Sequence, residues 1–455
     1  MATKNKTVFF CNECGYESAR WLGCCTGCSA WNTFTEFKAP KATTKAAASA
    51  PHQRTATQLY KLDDISIEDQ PRLISSIDEW DRVSGGGILP GAFIILTGDP
   101  GVGKSTLLLQ IGHTLTENNY HVLYFSSEES IHQVKNRAMR IGIKETKLLF
   151  SDQTSLESII ATTLEQKPDV LIIDSIQSCI IEDGDQAFPG TINQLRTAAF
   201  QLMRVAKENG IAVLITGHIT KDGTMAGPKV LEHMVDAVFY LQGDDRFETR
   251  ILRSVKNRFG TINEIGFFQM NADGMAQVSD INALVLQTAS VSPGAALICS
   301  IEGSRPVLIE VQALCIESKF GTPQRVVSGI DHKRVMLIAA ILEKYLRVKL
   351  SAHDIFFKVT GGFTVRETGG DLGIALALLS SYLQKPLPSH TMALGEMSLT
   401  GHIKPVSSSE KQILEAYKFG IKTLITSDKT LVDKAKFTKV ISLRSVYDLV
   451  ALFPE

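Results

Sequence analysis

A glycine-rich segment at residues 98–105 constrains the fold of this chain more than any other feature. It reads Gly-Asp-Pro-Gly-Val-Gly-Lys-Ser, follows an apolar run at residues 92–96 and precedes the helix-forming residues 106–110. In such a strand–loop–helix unit, backbone amides surround phosphate oxygens, the lysine neutralises the β and γ phosphates and the hydroxyl binds Mg²⁺. The pattern therefore predicts an α/β domain whose Ser105 binds Mg²⁺ and whose ATP contacts are Gly98, Asp99, Pro100, Gly101, Val102, Gly103, Lys104, Ser105 and Thr106.

Length and composition limit the possible classes of protein. At about 150 residues per domain, a chain of 455 residues is expected to hold about three domains. No apolar run reaches the roughly 18 residues that a membrane helix needs, and no signal peptide is evident, so we expect a cytoplasmic protein with no membrane partner. The formal net charge of −1 argues against a uniformly basic coat for nucleic acid, so any polyanion site must be local.

Five of the eight cysteines lie near the N-terminus, between Cys11 and Cys28. Cys11 with Cys14, and Cys25 with Cys28, form two pairs with two-residue gaps, a spacing that presents four thiolates to one tetrahedral Zn²⁺. Cys24 is the alternative to Cys25, but it does not keep the second gap. A disulfide is disfavoured because cytosolic thiols stay reduced. Zinc is expected to fold this segment, which is too short to bury a core.

The aromatic residues of the cysteine segment have two interpretations. We expect Trp21, Trp31 and Phe34 to cap the zinc site, with at least one of them packed in the core. Those that stay exposed could instead stack on bases or meet a partner. Residues 39–58 follow, rich in Ala, Thr, Pro and Ser with no acidic residue, and are predicted to be a flexible basic linker.

Beyond the phosphate loop, short apolar runs alternate with helical patterns. Runs of this kind, buried on both faces with helices between them, predict a mostly parallel sheet. Ligands bind at the carboxyl ends of such strands, so the polar residues there are site candidates. The runs cover residues 121–125, 170–173 and 211–215.

Acidic residues follow two of these runs. Asp174 ends the second run and has the position of a Walker-B acid that holds Mg²⁺. Glu128 follows the first run and is expected to orient the water that attacks the γ-phosphate. We favour it over Glu129, which we interpret as an acid at a helix N-terminus. His218 ends the third run, where it could sense the γ-phosphate or be structural.

This order of motifs resembles the RecA/DnaB family of ring ATPases. Residues 256–260 read Lys-Asn-Arg-Phe-Gly, a pentapeptide that, with Trp21-x-Gly23 in the four-cysteine module, resembles the RadA (Sms) family of bacterial DNA repair proteins over essentially the whole chain. Lys256 and Arg258, two residues apart on an extended segment, project to the same side. The resemblance implies that both act in trans on a neighbour's ATP, within a homo-oligomeric ring that is a hexamer. The alternative is an exposed basic strand end.

Two loops are candidates for contact with DNA. Residues 221–229 are glycine-rich and carry Lys221 and Lys229, which suit contacts with phosphates. Residues 182–191 contain three acidic residues that repel phosphate, so this loop is a candidate only together with the nearby Arg196.

The C-terminal part resembles the proteolytic domain of Lon. The matching segments are residues 367–373 and 395–401, and they place Asp371 where the family has its nucleophilic serine. Glu410 falls at the position of the family's lysine, with Lys411 one residue out of register. Since a serine activated by a lysine is required for this chemistry, we predict no peptidase activity and a scaffolding role.

These resemblances imply an α/β protein with a zinc-ribbon-like module at 1–38, a linker at 39–58, a RecA-like ATPase domain at 59–280 and a Lon-protease-like domain at 281–455. The implied activity is that of a DNA-dependent ATPase and ring motor that acts on single-stranded and branched DNA in recombinational repair, with a recombinase partner. ATP, Mg²⁺ and Zn²⁺ are the implied cofactors. The alternatives are an ATP-dependent protein remodeller and a regulatory ring that does not translocate.

Overall fold

The computed structural model describes most of the chain, and its contacts divide it into two compact units. The first unit holds residues 1–240 with 255–260, and the second holds residues 241–254 with 261–455. The described residues are 7–11, 17–18, 20–26, 31–38, 61, 71–181, 191–218, 230–243, 249–262, 264–319, 321–406, 409–427 and 437–454. Within these ranges, no helix combines the length and the apolar character needed to span a membrane.

The first unit begins with a small antiparallel sheet. Its central strand β1 (Thr7–Cys11) lies between β2 (Glu17–Ser18) and β3 (Phe34–Lys38). The core of this module is small and consists of Cys11, Cys25 and Phe34, with Phe9 and Leu22 packed against it.

The rest of the first unit is a sheet with helices between successive strands, as the apolar runs predicted. The strands are β4 (Phe93–Gly98), β5 (Val122–Ser126), β6 (Leu149–Ser151), β7 (Val170–Asp174), β8 (Ala212–His218) and β9 (Ala237–Gly243), in the order β9-β4-β8-β7-β5-β6. The pairs β4–β8, β8–β7, β7–β5 and β5–β6 are parallel. Strands β4, β5 and β7 are buried throughout, which explains their continuous apolar sequences.

Helices and one short 3₁₀ turn connect these strands. They are α1 (Asp78–Ser84), α2 (Lys104–Glu117), α3 (Ile131–Arg140), α4 (Leu156–Gln166), the 3₁₀ turn Ile176–Ser178, α5 (Ile192–Asn209) and α6 (Val230–Met234). Polar side chains begin two of them: Ser130 and Gln133 form a capping box on α3, and Ser155 accepts from the amide of Ser158 on α4. The helix-forming pattern after the phosphate loop is therefore α2.

The second unit starts with an antiparallel set of strands and a helix. The strands are β10 (Thr249–Asn257), β11 (Ile265–Asn271) and β12 (Gly274–Gln277), and the helix is α7 (Ile281–Thr288). The last residues of β10, from 255 onwards, belong to the first unit.

A seven-stranded mixed sheet follows, in the order β15-β16-β14-β13-β17-β20-β21, with the separate pair β18–β19. Helix α9 is buried from Asp371 to Ser381 and packs on this sheet, so its sequence is almost wholly apolar. The strands are β13 (Ala295–Glu302), β14 (Arg305–Glu317), β15 (Arg325–Ser328), β16 (His353–Val359), β17 (Thr391–Leu394), β18 (Glu396–Met397), β19 (Ile403–Lys404), β20 (Thr423–Thr426) and β21 (Lys439–Ser442). The helices are α8 (His332–Leu346), α9 (Asp371–Leu383) and α10 (Ser409–Lys418), with 3₁₀ turns at Leu350–Ala352, Thr368–Gly370 and Val446–Leu452.

Candidate functional site

The phosphate loop connects the end of β4 to the start of α2. Gly101 and Gly103 have φ values of 76° and 111°, in the left-handed region that favours glycine. A Cβ atom on Gly101 would meet nothing within 4 Å, so there is space for a side chain at this position. Glycine is favoured there because of the backbone conformation. Helix α2 begins at Lys104, and its first amides therefore face the loop. A loop of this shape at a helix N-terminus fits the phosphates of ATP.

Lys104 lies at the base of this loop and is only 5% exposed. Its Nζ donates to the carbonyl oxygens of Gly98 and Asp99, at 2.9 and 3.0 Å. Burial lowers the pKa of Lys104, and the charges of Asp174 and Glu128 oppose this shift. The three side chains that the sequence singled out are therefore close enough to interact electrostatically. Both of these acceptors are neutral carbonyls. A charged phosphate oxygen would form a stronger hydrogen bond with this ammonium group.

Asp174 ends β7, and its Cα is paired with that of Ser126 at the end of β5. The carboxylate is 7% exposed and accepts two hydrogen bonds. The Tyr124 hydroxyl donates to Oδ2 at 2.9 Å, and the Thr216 hydroxyl donates to Oδ1 at 2.7 Å. Burial raises the pKa of Tyr124 well above its usual range, so the hydroxyl keeps its proton. A carboxylate held in this way fits a Mg²⁺ site, directly or through water.

Sequence reasoning did not find Tyr124 and Thr216. The available signal was their polarity, because each places a hydroxyl within or next to an otherwise apolar run. Tyr124 lies on β5 and Thr216 on β8, the two strands on either side of β7, so both side chains reach Asp174.

Glu128 and Glu129 point to different neighbours. Glu128 is exposed and accepts hydrogen bonds from the hydroxyls of Ser175 and, at 3.4 Å, Ser178, just beyond the end of β7. Glu129 instead forms an ion pair with Arg137 on α3. Of the two carboxylates, Glu128 is the one directed to the end of β7 where Asp174 lies.

Lys256 lies near the end of β10 and contacts the end of α6. Its Nζ donates to the carbonyl oxygens of Glu232 and Val235, at 2.5 and 2.8 Å. Burial lowers the pKa of Lys256, and the nearby charge of Arg258 adds to this shift. Lys256 therefore stabilises the C-terminal carbonyls of α6 within its own chain.

Arg258 shares the carboxylate of Asp236 with a second cation. The Arg258 guanidinium lies 3.5 Å from Oδ1, and Lys207 Nζ lies 2.5 Å from Oδ2. Oδ2 also accepts from the amide of Phe93, at 3.0 Å, where β4 begins. Asp236 is 4% exposed, so the carboxylate that binds these two cations and the amide is itself buried. The sequence analysis did not identify Asp236.

The other residues of the pentapeptide fix its backbone. Asn257 Nδ2 donates to the carbonyls of Val83 and Ser84 at the end of α1, and its Oδ1 accepts from the amide of Phe259. Arg72 donates to the Phe259 carbonyl at 2.8 Å. A Cβ atom on Gly260 would lie 3.0 Å from the Cα of Gly85, so any other residue requires the neighbouring backbone to shift.

The DNA-contact candidates are only partly described. Arg196 lies in the second turn of α5, and its buried Nε has no hydrogen-bond partner among the described residues. Lys221, Lys229 and residues 182–190 lie outside the described residues. His218 ends β8, but its side chain is also outside what the structure describes.

Two of the four predicted zinc ligands are described and lie in one cluster. Cys11 and Cys25 are 2% and 1% exposed and pack with Phe34. Cys14 and Cys28 lie outside the described residues, as does the linker 39–58, and no group of three or more metal-binding side chains occurs in the ranges that are described. The proximity of the two buried cysteines fits a thiolate site for Zn²⁺.

In the second unit, Asp371 begins α9 and forms an ion pair. Arg334 Nε lies 2.7 Å from Asp371 Oδ1, and the Met397 amide donates to Oδ2 at 3.2 Å. Burial raises the pKa of Asp371, while Arg334 acts in the opposite direction. Glu410 and Lys411 are exposed on the first turn of α10. The position matched to a serine nucleophile thus holds a carboxylate bound to a guanidinium.

Three family models match separate parts of the chain. They are described as a rubredoxin metal binding domain over residues 9–36, an AAA domain over residues 57–224 and the subunit ChlI of Mg-chelatase over residues 337–430. The first match spans all four predicted zinc ligands, and the second spans the phosphate loop, Glu128 and Asp174.

Similar proteins cover nearly the whole chain. DNA repair protein RadA of Halalkalibacterium halodurans is 42% identical over 437 residues, which is 94% of each chain. DNA repair protein RadA of Escherichia coli is 39% identical over 461 aligned positions, which cover 100% of both chains. Among solved structures, the ATPase domain of G40P matches 46% of this chain and 92% of its own, with 16% identity and a TM-score of 0.40.

Proposed function

The chain belongs to the family of DNA repair protein RadA, and on this basis we propose that it is a DNA-dependent ATPase. It acts as a homo-oligomeric ring, a hexamer, that moves on single-stranded DNA and processes or branch-migrates recombination intermediates together with a recombinase. The observation that carries the proposal is the clustering of Lys104, Glu128 and Asp174 at the carboxyl ends of parallel strands of one sheet.

Each residue of this cluster would have its own role in ATP hydrolysis. Lys104 and the amides of α2 would bind the β and γ phosphates of ATP. Ser105 and Asp174 would hold Mg²⁺, which supplies positive charge to the phosphate oxygens. Glu128 would orient the attacking water and accept its proton, and its hydrogen bonds to Ser175 and Ser178 hold it at the end of β7 until then.

The proposal assigns Lys256 and Arg258 to a neighbour's nucleotide. The side chain of Arg258 is 58% exposed and lies 3.5 Å from Asp236, whose buried carboxylate is also bound by Lys207 and the amide of Phe93. Arg258 can therefore turn to a phosphate while Asp236 keeps two other partners. The anchors at Asn257 and Gly260 keep the segment in place while its two cations change partners.

DNA contact is assigned to Arg196, Lys221 and Lys229. Arg196 supports this assignment by its positive charge in the second turn of α5, close in sequence to residues 182–191.

The Arg334–Asp371 pair supports a scaffolding role for the second unit, since Asp371 is held by Arg334 and the chain has no serine at that position. A second function as a protease therefore finds no support there.

The experiment that tests the proposal is steady-state ATPase with and without single-stranded DNA. We expect stimulation by DNA, loss of turnover in Lys104→Ala, and a drop of about 100- to 10,000-fold in Glu128→Gln with nucleotide binding retained. Mixing Arg258→Ala with Lys104→Ala should restore part of the turnover, because some sites in mixed rings would combine an intact Lys104 with an intact Arg258 of the neighbour. Arg204→Ala is the matched control, since this arginine is 60% exposed and pairs with Glu208 on its own helix.

Two results would contradict the proposal. If DNA changes neither the rate of ATP hydrolysis nor the assembly of the ring, the regulatory ring is favoured. Absence of any turnover in a co-assembled mixture of Arg258→Ala and Lys104→Ala would contradict the shared site.

A further inference from the structure

Two of the three tryptophans of the chain lie on the surface of the N-terminal module. Trp31 is 73% exposed and Trp21 is 52% exposed, whereas Trp80 is completely buried. The module's core is formed by Cys11, Cys25 and Phe34 and does not include either indole. Exposed indoles offer a large flat apolar face to a ligand or a partner.

The two indoles are carried by neighbouring backbone segments of the module. The Trp21 ring lies against Gly23, where an added Cβ would be 3.8 Å from ring atom Cζ3. The Gly23 carbonyl accepts from the Asn32 amide at 2.8 Å, and Cys24 is paired with Trp31 in an antiparallel bridge. Trp21 and Trp31 thus flank the same pair of backbone segments.

The N-terminal sequence is basic overall. Residues 1–58 carry seven lysine and arginine side chains against three glutamates. The remainder of the chain has 40 basic and 45 acidic side chains, by subtraction from the totals of 47 and 48. Within the described part of this segment, Arg20 is exposed and directly precedes Trp21.

We propose that Trp21 and Trp31 form a stacking surface for the unpaired bases of single-stranded DNA. Aromatic rings stack on any base, and neighbouring basic residues follow the phosphates, so such a surface binds without sequence preference. The inference rests on the proposed function, in which single-stranded DNA is the track. It adds a DNA contact that is separate from Arg196, Lys221 and Lys229.

Tryptophan fluorescence of the full-length protein tests this directly. Because Trp80 is buried, quenching by DNA reports on Trp21 and Trp31. The probes are a thymidine homo-oligonucleotide and an oligonucleotide of equal length and charge whose sugars carry no bases. We expect quenching by the first and not by the second. Trp31→Ala should weaken binding of the thymidine strand by about 5- to 100-fold, whereas Trp31→Phe should keep part of the affinity.

Equal quenching by the baseless strand, or unchanged affinity in both Trp21→Ala and Trp31→Ala, would overturn the inference and point to a protein partner for this surface. The zinc content of each variant must equal that of wild type, so that a misfolded module is not mistaken for lost stacking.

ATPase stimulation separates this inference from the proposed function. Stimulation by DNA that persists when quenching is absent would overturn the stacking surface alone. If the wild type neither binds single-stranded DNA nor responds to it, the proposed function fails as well.

Discussion

The Tyr124 hydroxyl donates a 2.9 Å hydrogen bond to Asp174 Oδ2, from a side chain that is 1% exposed. Thr216 holds the other oxygen of the same carboxylate. The acid proposed to bind Mg²⁺ is therefore fixed from two strands, and neither hydroxyl is expected to touch the nucleotide itself.

Tyr124→Phe should weaken the response to Mg²⁺. Loss of a residue that holds a metal ligand costs about 10- to 100-fold in metal affinity or activity. The variant also leaves a buried carboxylate oxygen with one donor fewer, which should lower the free energy of unfolding by about 1–3 kcal/mol. The measurements are ATPase rate and fluorescent-nucleotide binding as functions of Mg²⁺ concentration, together with urea unfolding.

The ring of Tyr124 stacks on Phe150 with centroids 5.6 Å apart, and phenylalanine keeps this contact. Tyr447→Phe removes a hydroxyl from a side chain that is 62% exposed and is the control. An unchanged Mg²⁺ dependence in Tyr124→Phe would show that Thr216 alone is enough to orient Asp174.

Gly260→Ala should displace the segment that carries Lys256 and Arg258. The new Cβ would lie 3.0 Å from Gly85 Cα and 3.1 Å from Asn257 Nδ2, so backbone must move. We expect nucleotide binding to persist, turnover in the assembled ring to fall, and stability to drop by about 1–3 kcal/mol. Gly321→Ala, where a Cβ meets nothing within 4 Å, should change neither. Full turnover in Gly260→Ala would mean that Lys256 and Arg258 still act after this shift of their segment.

The cysteines should react with a thiol reagent in three steps. Burial raises the pKa of Cys179 to about 12 and that of Cys315 to about 11, and also raises that of Cys299, so these three should be inert in the native protein. Five of the eight cysteines lie between Cys11 and Cys28. With Zn²⁺ held by four of those, we expect Cys24 to react first, four more after a strong chelator, and the last three only in denaturant. A chelator that releases no thiols would contradict the zinc assignment.

Ionisation of Asp371 should make the free energy of unfolding fall as the pH rises. Burial raises its pKa above the ordinary value of 3.8, so the folded protein binds this proton more tightly than the unfolded chain does. The ionised group therefore destabilises the fold at neutral pH, and this penalty disappears as the pH falls toward 3.8. Relative to wild type, Asp371→Asn should become progressively more stable as pH rises from about 4 to 7, measured as the urea midpoint.

Asp448 supplies a control of opposite sign. The amides of Arg444 and Ser445 lower its pKa, so its ionised form stabilises the fold and that contribution is lost on acidification. Asp448→Asn should therefore be less stable than wild type above pH 3.8, and this difference should shrink as the pH falls below 3.8. Parallel pH profiles for the two variants would show that neither carboxylate controls the pH dependence.

The sequence predicted the parts of the fold that repeat a local pattern. The apolar runs became β5, β7 and β8, and the glycine-rich segment became the loop before α2, because strand burial and helix starts leave traces in neighbouring residues. Asp174 and Glu128 could be chosen because both follow strand ends.

The partners of these residues could not be predicted, because they depend on which strands become neighbours. Thr216 reaches Asp174 only since β8 lies beside β7, and Asp236 meets Arg258 across 22 positions of chain. Similarly, the anchor of Asn257 on the end of α1 joins residues more than 170 positions apart. Contacts of this range leave no periodicity in a single sequence.

Asp236 has one further consequence. Its carboxylate holds Arg258, which is proposed to serve the next subunit's nucleotide, and the amide of Phe93, where the strand leading to the phosphate loop begins. A nucleotide that draws Arg258 away would alter the charge balance at the foot of that strand. Asp236 would then connect the state of a neighbour's nucleotide to the strand that leads to the phosphate loop of its own subunit.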